Sequence, residues 1–126
     1  MRVLFLVAAL LGTLPASASP LAGYWLGPLD PDGNRSTIEI YPCEGLLCGR
    51  VAQVTQDSAR QLLNQIILLD LRQQDADTYV GGTIRFDHLR WTFSGSIQMA
   101  GPDQATLRGC WAGIFCQSVP FTRVEL

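Results

Sequence analysis

Four cysteines in two tight pairs are the residues of this chain best spaced to do chemistry. Cys43 and Cys48 enclose four residues, and Cys110 and Cys116 enclose five. Thiols so placed can hold a metal, exchange electrons or bond to one another. Tetrathiolate zinc sites use spacers of about two to four residues within each pair, and the second pair exceeds that. Neither pair is Cys-x-x-Cys, the arrangement that depresses a thiol pKa for redox work. Disulfides are the better reading. Each pair lies between strand-like segments, where facing residues bring Cβ atoms to about 4.5–5.5 Å, close to the roughly 3.5–4.5 Å that a bridge requires. Four cysteines allow three connectivities. The local pairing, Cys43 with Cys48 and Cys110 with Cys116, is expected. Crossed bridges, which would close longer loops and stabilise more, stay open at this level.

Other reactive groups are sparse. His88 is the single histidine. Asp87 beside it and Ser94 or Ser96 downstream allow a Ser-His-Asp set to be drawn, but Asp87-His88 reads as a turn, and a triad is a matter of geometry rather than proximity in sequence. Asp30-Pro31-Asp32-Gly33-Asn34 begins like a calcium loop, yet the twelfth place, which needs a glutamate, holds Tyr41. It reads as a turn, as do Asp75 and Asp77. Gly81-Gly82 marks a bulge or barrel corner. No catalytic residue, metal ligand or cofactor is assigned, and the chain is not expected to be an enzyme.

The elements that would position these residues are strands. Leu89, Trp91, Phe93, Gly95 and Ile97 alternate with Arg90, Thr92, Ser94, Ser96 and Gln98, the pattern of a half-buried strand. Ile38 and Ile40 flank Glu39 in the same way. Further strands are expected near 22–26, 49–54, 65–71, 78–86, 104–109 and 119–125, separated by turn sequences such as Asp30 to Asn34, Glu44-Gly45 and Gly101-Pro102-Asp103. Asp57 to Asn64 is either a two-turn helix capped by Asp57 or Ser58, or an irregular loop with Leu62 and Leu63 tucked inward. About eight short strands joined at hairpin length give an all-β antiparallel meander, and closing it into a barrel removes its exposed edges. In such a barrel Trp91 and Phe93 would line the interior with Trp111 at its mouth, forming a ligand cavity or simply a filled core. Leu46, Leu47, Ile114 and Phe115, held within the cysteine pairs, would form one apolar patch at a barrel end or a partner surface.

Residues 1–18 look like a secretory signal: Arg2, an apolar run from Val3 to Leu11, and Ala16-Ser17-Ala18 as a cleavage site. The run is too short for a transmembrane helix, and no later segment is a candidate membrane span. The mature chain is then a single domain over 19–126, periplasmic or secreted. All nine basic residues are arginine; loss of Arg2 leaves eight against eleven acidic residues, a balance of −3. Without a basic cluster, nucleic acid is not an expected partner.

Gly23-Tyr24-Trp25-Leu26, the segment Ile38 to Val51 (IEIYPCEGLLCGRV), Tyr79 to Ile84 (YVGGTI), Leu107 to Cys110 and Phe121-Thr122-Arg123 follow in order. Together they resemble the bacterial secreted family known as domain of unknown function 2147. The resemblance implies a lipocalin-like, calycin-type β-barrel in the periplasm with no established activity. It also implies that Arg123, from the last strand, covers Trp25 and closes one barrel end. The chain departs from the family pattern in a shortened segment at Thr55 to Asn64 and in Phe121 where the family tends to carry Trp. Two functions are expected from this reading: binding of a small apolar or amphipathic molecule, or a contact role towards an envelope protein with a filled barrel. The oligomeric state is not legible.

Overall fold

The computed structural model describes residues 19–86 and 90–126. The signal-like segment 1–18 with its cleavage site, Asp87 and His88, expected as a turn, and Leu89, expected to open a strand face, lie outside them. Eight strands follow in order: β1 Gly23–Leu26, β2 Ser36–Cys43, β3 Leu46–Val54, β4 Ile66–Gln73, β5 Thr78–Ile84, β6 Phe93–Met99, β7 Gln104–Trp111 and β8 Phe115–Val124. Each pairs antiparallel with the next, and β8 returns to β1, so the sheet is a closed barrel. The meander is what the alternating pattern dictates, because each two-faced strand buries its apolar side on a shared interior and closure leaves no long edge.

Segment 57–62 is a 3₁₀ helix, preceded by Gln56 rather than capped by Asp57 or Ser58. Leu62 packs against the core, whereas Leu63 points outward and is 36% exposed. The expected helix is therefore tighter and shorter, and only one of the two leucines is tucked in. Gly81, at φ +76°, sits where the β5–β6 register shifts, as the paired glycines implied.

In an up-and-down meander, successive connections fall at alternate ends. One end collects the β1–β2, β3–β4, β5–β6 and β7–β8 connections. The other collects both termini of the described barrel and the β2–β3, β4–β5 and β6–β7 turns. The two cysteine pairs, on β2–β3 and β7–β8, therefore sit at opposite ends, and the single patch expected from their loops does not form. Leu47 is buried in the core, while Ile114 and Phe115 are exposed.

The end holding the termini is plugged. Leu21, Leu47, Leu71, Tyr79 and Met99 are fully or almost fully buried, and the Tyr79 hydroxyl lies 3.0 Å from Ser19 Oγ. Arg123 seals this end. Its guanidinium carbon stands 4.4 Å from the Trp25 ring centroid. Its nitrogens donate to the carbonyls of Pro102 at 2.9 Å and Ala22 at 3.0 Å, and to that of Pro20.

Candidate functional site

Inward glycines on neighbouring strands shape the interior. Gly82, Gly95 and Gly109 lie side by side across β5, β6 and β7. A Cβ on Gly95 would stand 2.9 Å from Ile84 Cγ1, and one on Gly82 would stand 2.9 Å from Leu71 Cδ1. Leu68 and Ile84 thus lie flat over bare backbone, and the wall is lined by aliphatic carbon with little bulk projecting from this sector.

What remains is a cavity of about 450 Å³ that reaches from Trp25 and Leu21 to the open end. Its walls are Ile38, Ile40, Val51, Leu68, Ile84, Ile97 and Ala105, with Leu107, Val119 and Phe121 from the last two strands. The polar residues of the lining, Asp30, Asn34, Ser36 and Gln117, all lie towards the mouth. The volume falls in the range of pockets that take one small molecule. The lining is apolar throughout, with its few polar residues near the mouth beside Pro28, Leu29 and Pro31, which suits a molecule with a hydrocarbon body and a small polar head.

The mouth is framed by an ordered loop. Asp30 accepts from the backbone N–H groups of Asp32 and Asn34, both at 2.9 Å, so its carboxylate serves a turn. Asn34, 3% exposed, uses Oδ1 to accept from the N–H groups of Thr55 at 3.0 Å and Gln56 at 3.1 Å. Its amide nitrogen donates to Ser36 Oγ at 3.0 Å. One buried amide therefore ties the β1–β2 loop to the segment leading into the 3₁₀ helix. Among the described residues no group of three or more His, Cys, Asp or Glu side chains is placed to hold a metal. Asp75, in an exposed turn at the plugged end, has its carboxyl held below the usual value, chiefly by the Asp77 N–H.

The expected lining needs correction. Trp91, Phe93 and Trp111 are all absent from the cavity wall. Phe93 begins β6 and packs partly buried against the core. Trp91 precedes the strand and is 51% exposed. It meets Trp111 with ring centroids 6.2 Å apart, and Trp111 stacks on Phe115 at 5.8 Å. For Trp91 the physical reason is strand length: β6 starts at Phe93 and pairs with β5 only as far as Phe93↔Ile84, so the period-two pattern, read from Leu89, starts four residues before the wall it was taken to describe. The aromatic that does line the cavity from the first strand is Trp25.

Both local disulfides are present, Cys43–Cys48 and Cys110–Cys116, and no described cysteine is free. They differ in register. Cys110 lies directly opposite Cys116. Cys43 instead faces Leu46 while Cys48 faces Tyr41, so that bridge runs diagonally across a two-residue turn in which Glu44 and Gly45 both have positive φ. Two disulfides fit an oxidising, exported setting. No helix among the described residues is long and apolar enough to cross a membrane.

A family model described as "Uncharacterized protein conserved in bacteria (DUF2147)" matches residues 23–123. No curated protein matches the chain. Among solved structures, a protein of Helicobacter pylori, HP1028, described as belonging to the lipocalin family, superimposes with a TM-score of 0.65 at 14% identity, over 83% of each chain. At that identity the likeness speaks for the lipocalin-like barrel alone.

Proposed function

The chain belongs to the DUF2147 family, and we propose that it is a non-enzymatic binding protein of the bacterial periplasm that takes one small apolar or amphipathic molecule into the open half of its barrel. The observation carrying this reading is the apolar cavity of about 450 Å³, open at one end of the barrel, with a few polar residues near its mouth. A barrel evolved only as a scaffold would gain stability by filling that space, since unfilled apolar volume costs packing contacts. The signal-like segment and the two disulfides support the exported location.

The test uses the three tryptophans. In a Trp91→Phe/Trp111→Phe variant, Trp25 is the sole emitter and sits in the cavity wall. Titration with fatty acids or a hydrophobic dye is expected to change its emission saturably, with one molecule per chain. Ala105→Phe, which fills the cavity from β7, is expected to abolish the change while the variant stays folded. A non-saturable response, or one indifferent to Ala105→Phe, would sink the reading. A contact role remains the second reading, favoured by the exposed Trp91–Trp111–Phe115 cluster.

A further inference from the structure

Large apolar side chains on the surface of this protein are not scattered. Eight are exposed among the described residues, and all but Leu126 near the chain end belong to the open end of the barrel. Leu29 is in the β1–β2 connection, Leu63 and Ile66 are at β3–β4, Trp91 is at β5–β6, and Trp111, Ile114 and Phe115 are at β7–β8. Every connection at that end thus contributes at least one apolar tip, and together they surround the mouth of an apolar cavity. Single exposed apolar residues are ordinary, but a set gathered at one pole marks a contact surface.

Charge is distributed in the opposite sense. The connections and the terminus at the plugged end carry the five acids Glu44, Asp75, Asp77, Asp103 and Glu125, against two arginines on adjoining strand ends, Arg72 and Arg123, the latter turned onto Trp25 and backbone carbonyls. Among the described residues of the open-end connections, Arg35, Arg60, Arg85 and Arg90 stand against Asp30, Asp32 and Asp57. The acids among these cluster on the β1–β2 loop and the 3₁₀ segment. The β5–β6 connection and β7, which carry Trp91 and Trp111, also carry exposed Arg85, Arg90 and Arg108. A negatively charged surface would repel the plugged end and accept the open one.

We propose that the protein docks mouth-first on a phospholipid bilayer bearing anionic headgroups, with Trp91, Trp111, Ile114 and Phe115 seated at the headgroup level and Arg90 and Arg108 on lipid phosphates. Tryptophan beside arginine is the side-chain chemistry of the membrane interface, where an apolar ring can enter the acyl boundary while its polar edge and a guanidinium stay wet. A fluid bilayer also receives four separate tips around a hole at once, which a rigid partner surface does not. The Cys110–Cys116 bridge holds the leading tip in one shape, so little ordering is lost on contact. Docking does not require the cavity reading, but the use it implies rests on it: an amphipathic molecule would pass between bilayer and cavity without crossing water.

The experiment is flotation of the mature protein with vesicles of phosphatidylcholine alone and of phosphatidylcholine mixed with phosphatidylglycerol, combined with Trp emission. The protein is expected to float with the anionic vesicles, more weakly at high salt, with a blue shift from Trp91 and Trp111. Trp111→Ser/Phe115→Ser should weaken flotation by at least about tenfold, and Arg90→Glu/Arg108→Glu by about tenfold on anionic vesicles. Ile114→Asp, at a tip position that is 76% exposed, guards against loss of fold and should also weaken it. Protein that stays unfloated with both vesicle types, or variants that float like the parent, would overturn the proposal. So would a dimer that dissociates in Ile114→Asp without any vesicle binding. Ala105→Phe separates the two readings: it should float normally while taking up no ligand, whereas failed docking with intact uptake would reject docking alone.

Discussion

Gly23 and Arg123 show how much of the plugged end rests on single residues. Gly23 has φ +132°, and a Cβ there would stand 2.7 Å from Arg123 Nη1, so only glycine permits both the backbone and the approach. Arg123→Ala removes the cover over Trp25 and three charge-assisted bonds to carbonyls. We expect a loss of about 2 kcal/mol and a fall in Tm near 10 °C, read by thermal unfolding, with ligand uptake largely kept. An unchanged melting curve would count against the seal. Asn34 is the counterpart at the mouth. Asn34→Ala leaves the part-buried N–H groups of Thr55 and Gln56 without their acceptor, which costs about 1 kcal/mol and should loosen the mouth loop. Asn34→Asp, keeping Oδ1, should recover part of it. The Trp25–Arg123 pair was legible through family resemblance. Asn34 was not, because a turn asparagine and a loop-fastening one look alike until the second loop is placed.

The strands themselves were the most legible feature, because alternation reports directly which face is buried. All eight lie where the pattern puts them, with ends moved by a few residues. Those ends are set by how far the neighbouring strand extends, and the error at Trp91 follows from that alone. The 3₁₀ helix was half-read, since six residues hold too little periodicity to separate it from a loop. The opposed placement of the two disulfides was recoverable by counting: hairpins after the second and seventh strands differ in parity. Cys110→Ser/Cys116→Ser should cost roughly 2 kcal/mol by loop entropy and, more tellingly, raise hydrogen exchange at the β7–β8 tip while β2–β3 is unaffected. Equal change at both hairpins would show that the bridge has no local role. Gly95→Val tests the glycine row. It adds three carbons, the first 2.9 Å from Ile84 Cγ1, and should destabilise by about 1–3 kcal/mol through overpacking while shrinking the cavity, so weaker dye uptake should accompany the lower Tm.

At the scale of the whole molecule, the seam where the barrel closes is its weakest wall. Seven of the eight strand pairings join consecutive strands, whereas β1 and β8 meet across almost the whole domain through only three residue pairs, Tyr24↔Val124, Trp25↔Arg123 and Leu26↔Thr122. Its neighbour β7–β8 is held by eight; β3–β4 also has three register pairs, interrupted by bulges, but between strands of nine and eight residues against the four of β1. Closing a long loop carries an entropic cost that few hydrogen bonds offset, so local opening should begin there. Amides of β1 and of Thr122 to Val124 should then exchange faster than those of β3 or β4. The same seam lines the proposed binding cavity, through Trp25 on β1 and Val119 and Phe121 on β8. A ligand that binds only the closed barrel stabilises it by about 2.7 kcal/mol at a hundredfold excess over Kd. Saturation with a ligand that shifts Trp25 emission should therefore slow exchange most at β1–β8. Uniform slowing across all strands would mean that closure is no separate step, and slowing confined to the β7–β8 tip would place the ligand outside the barrel.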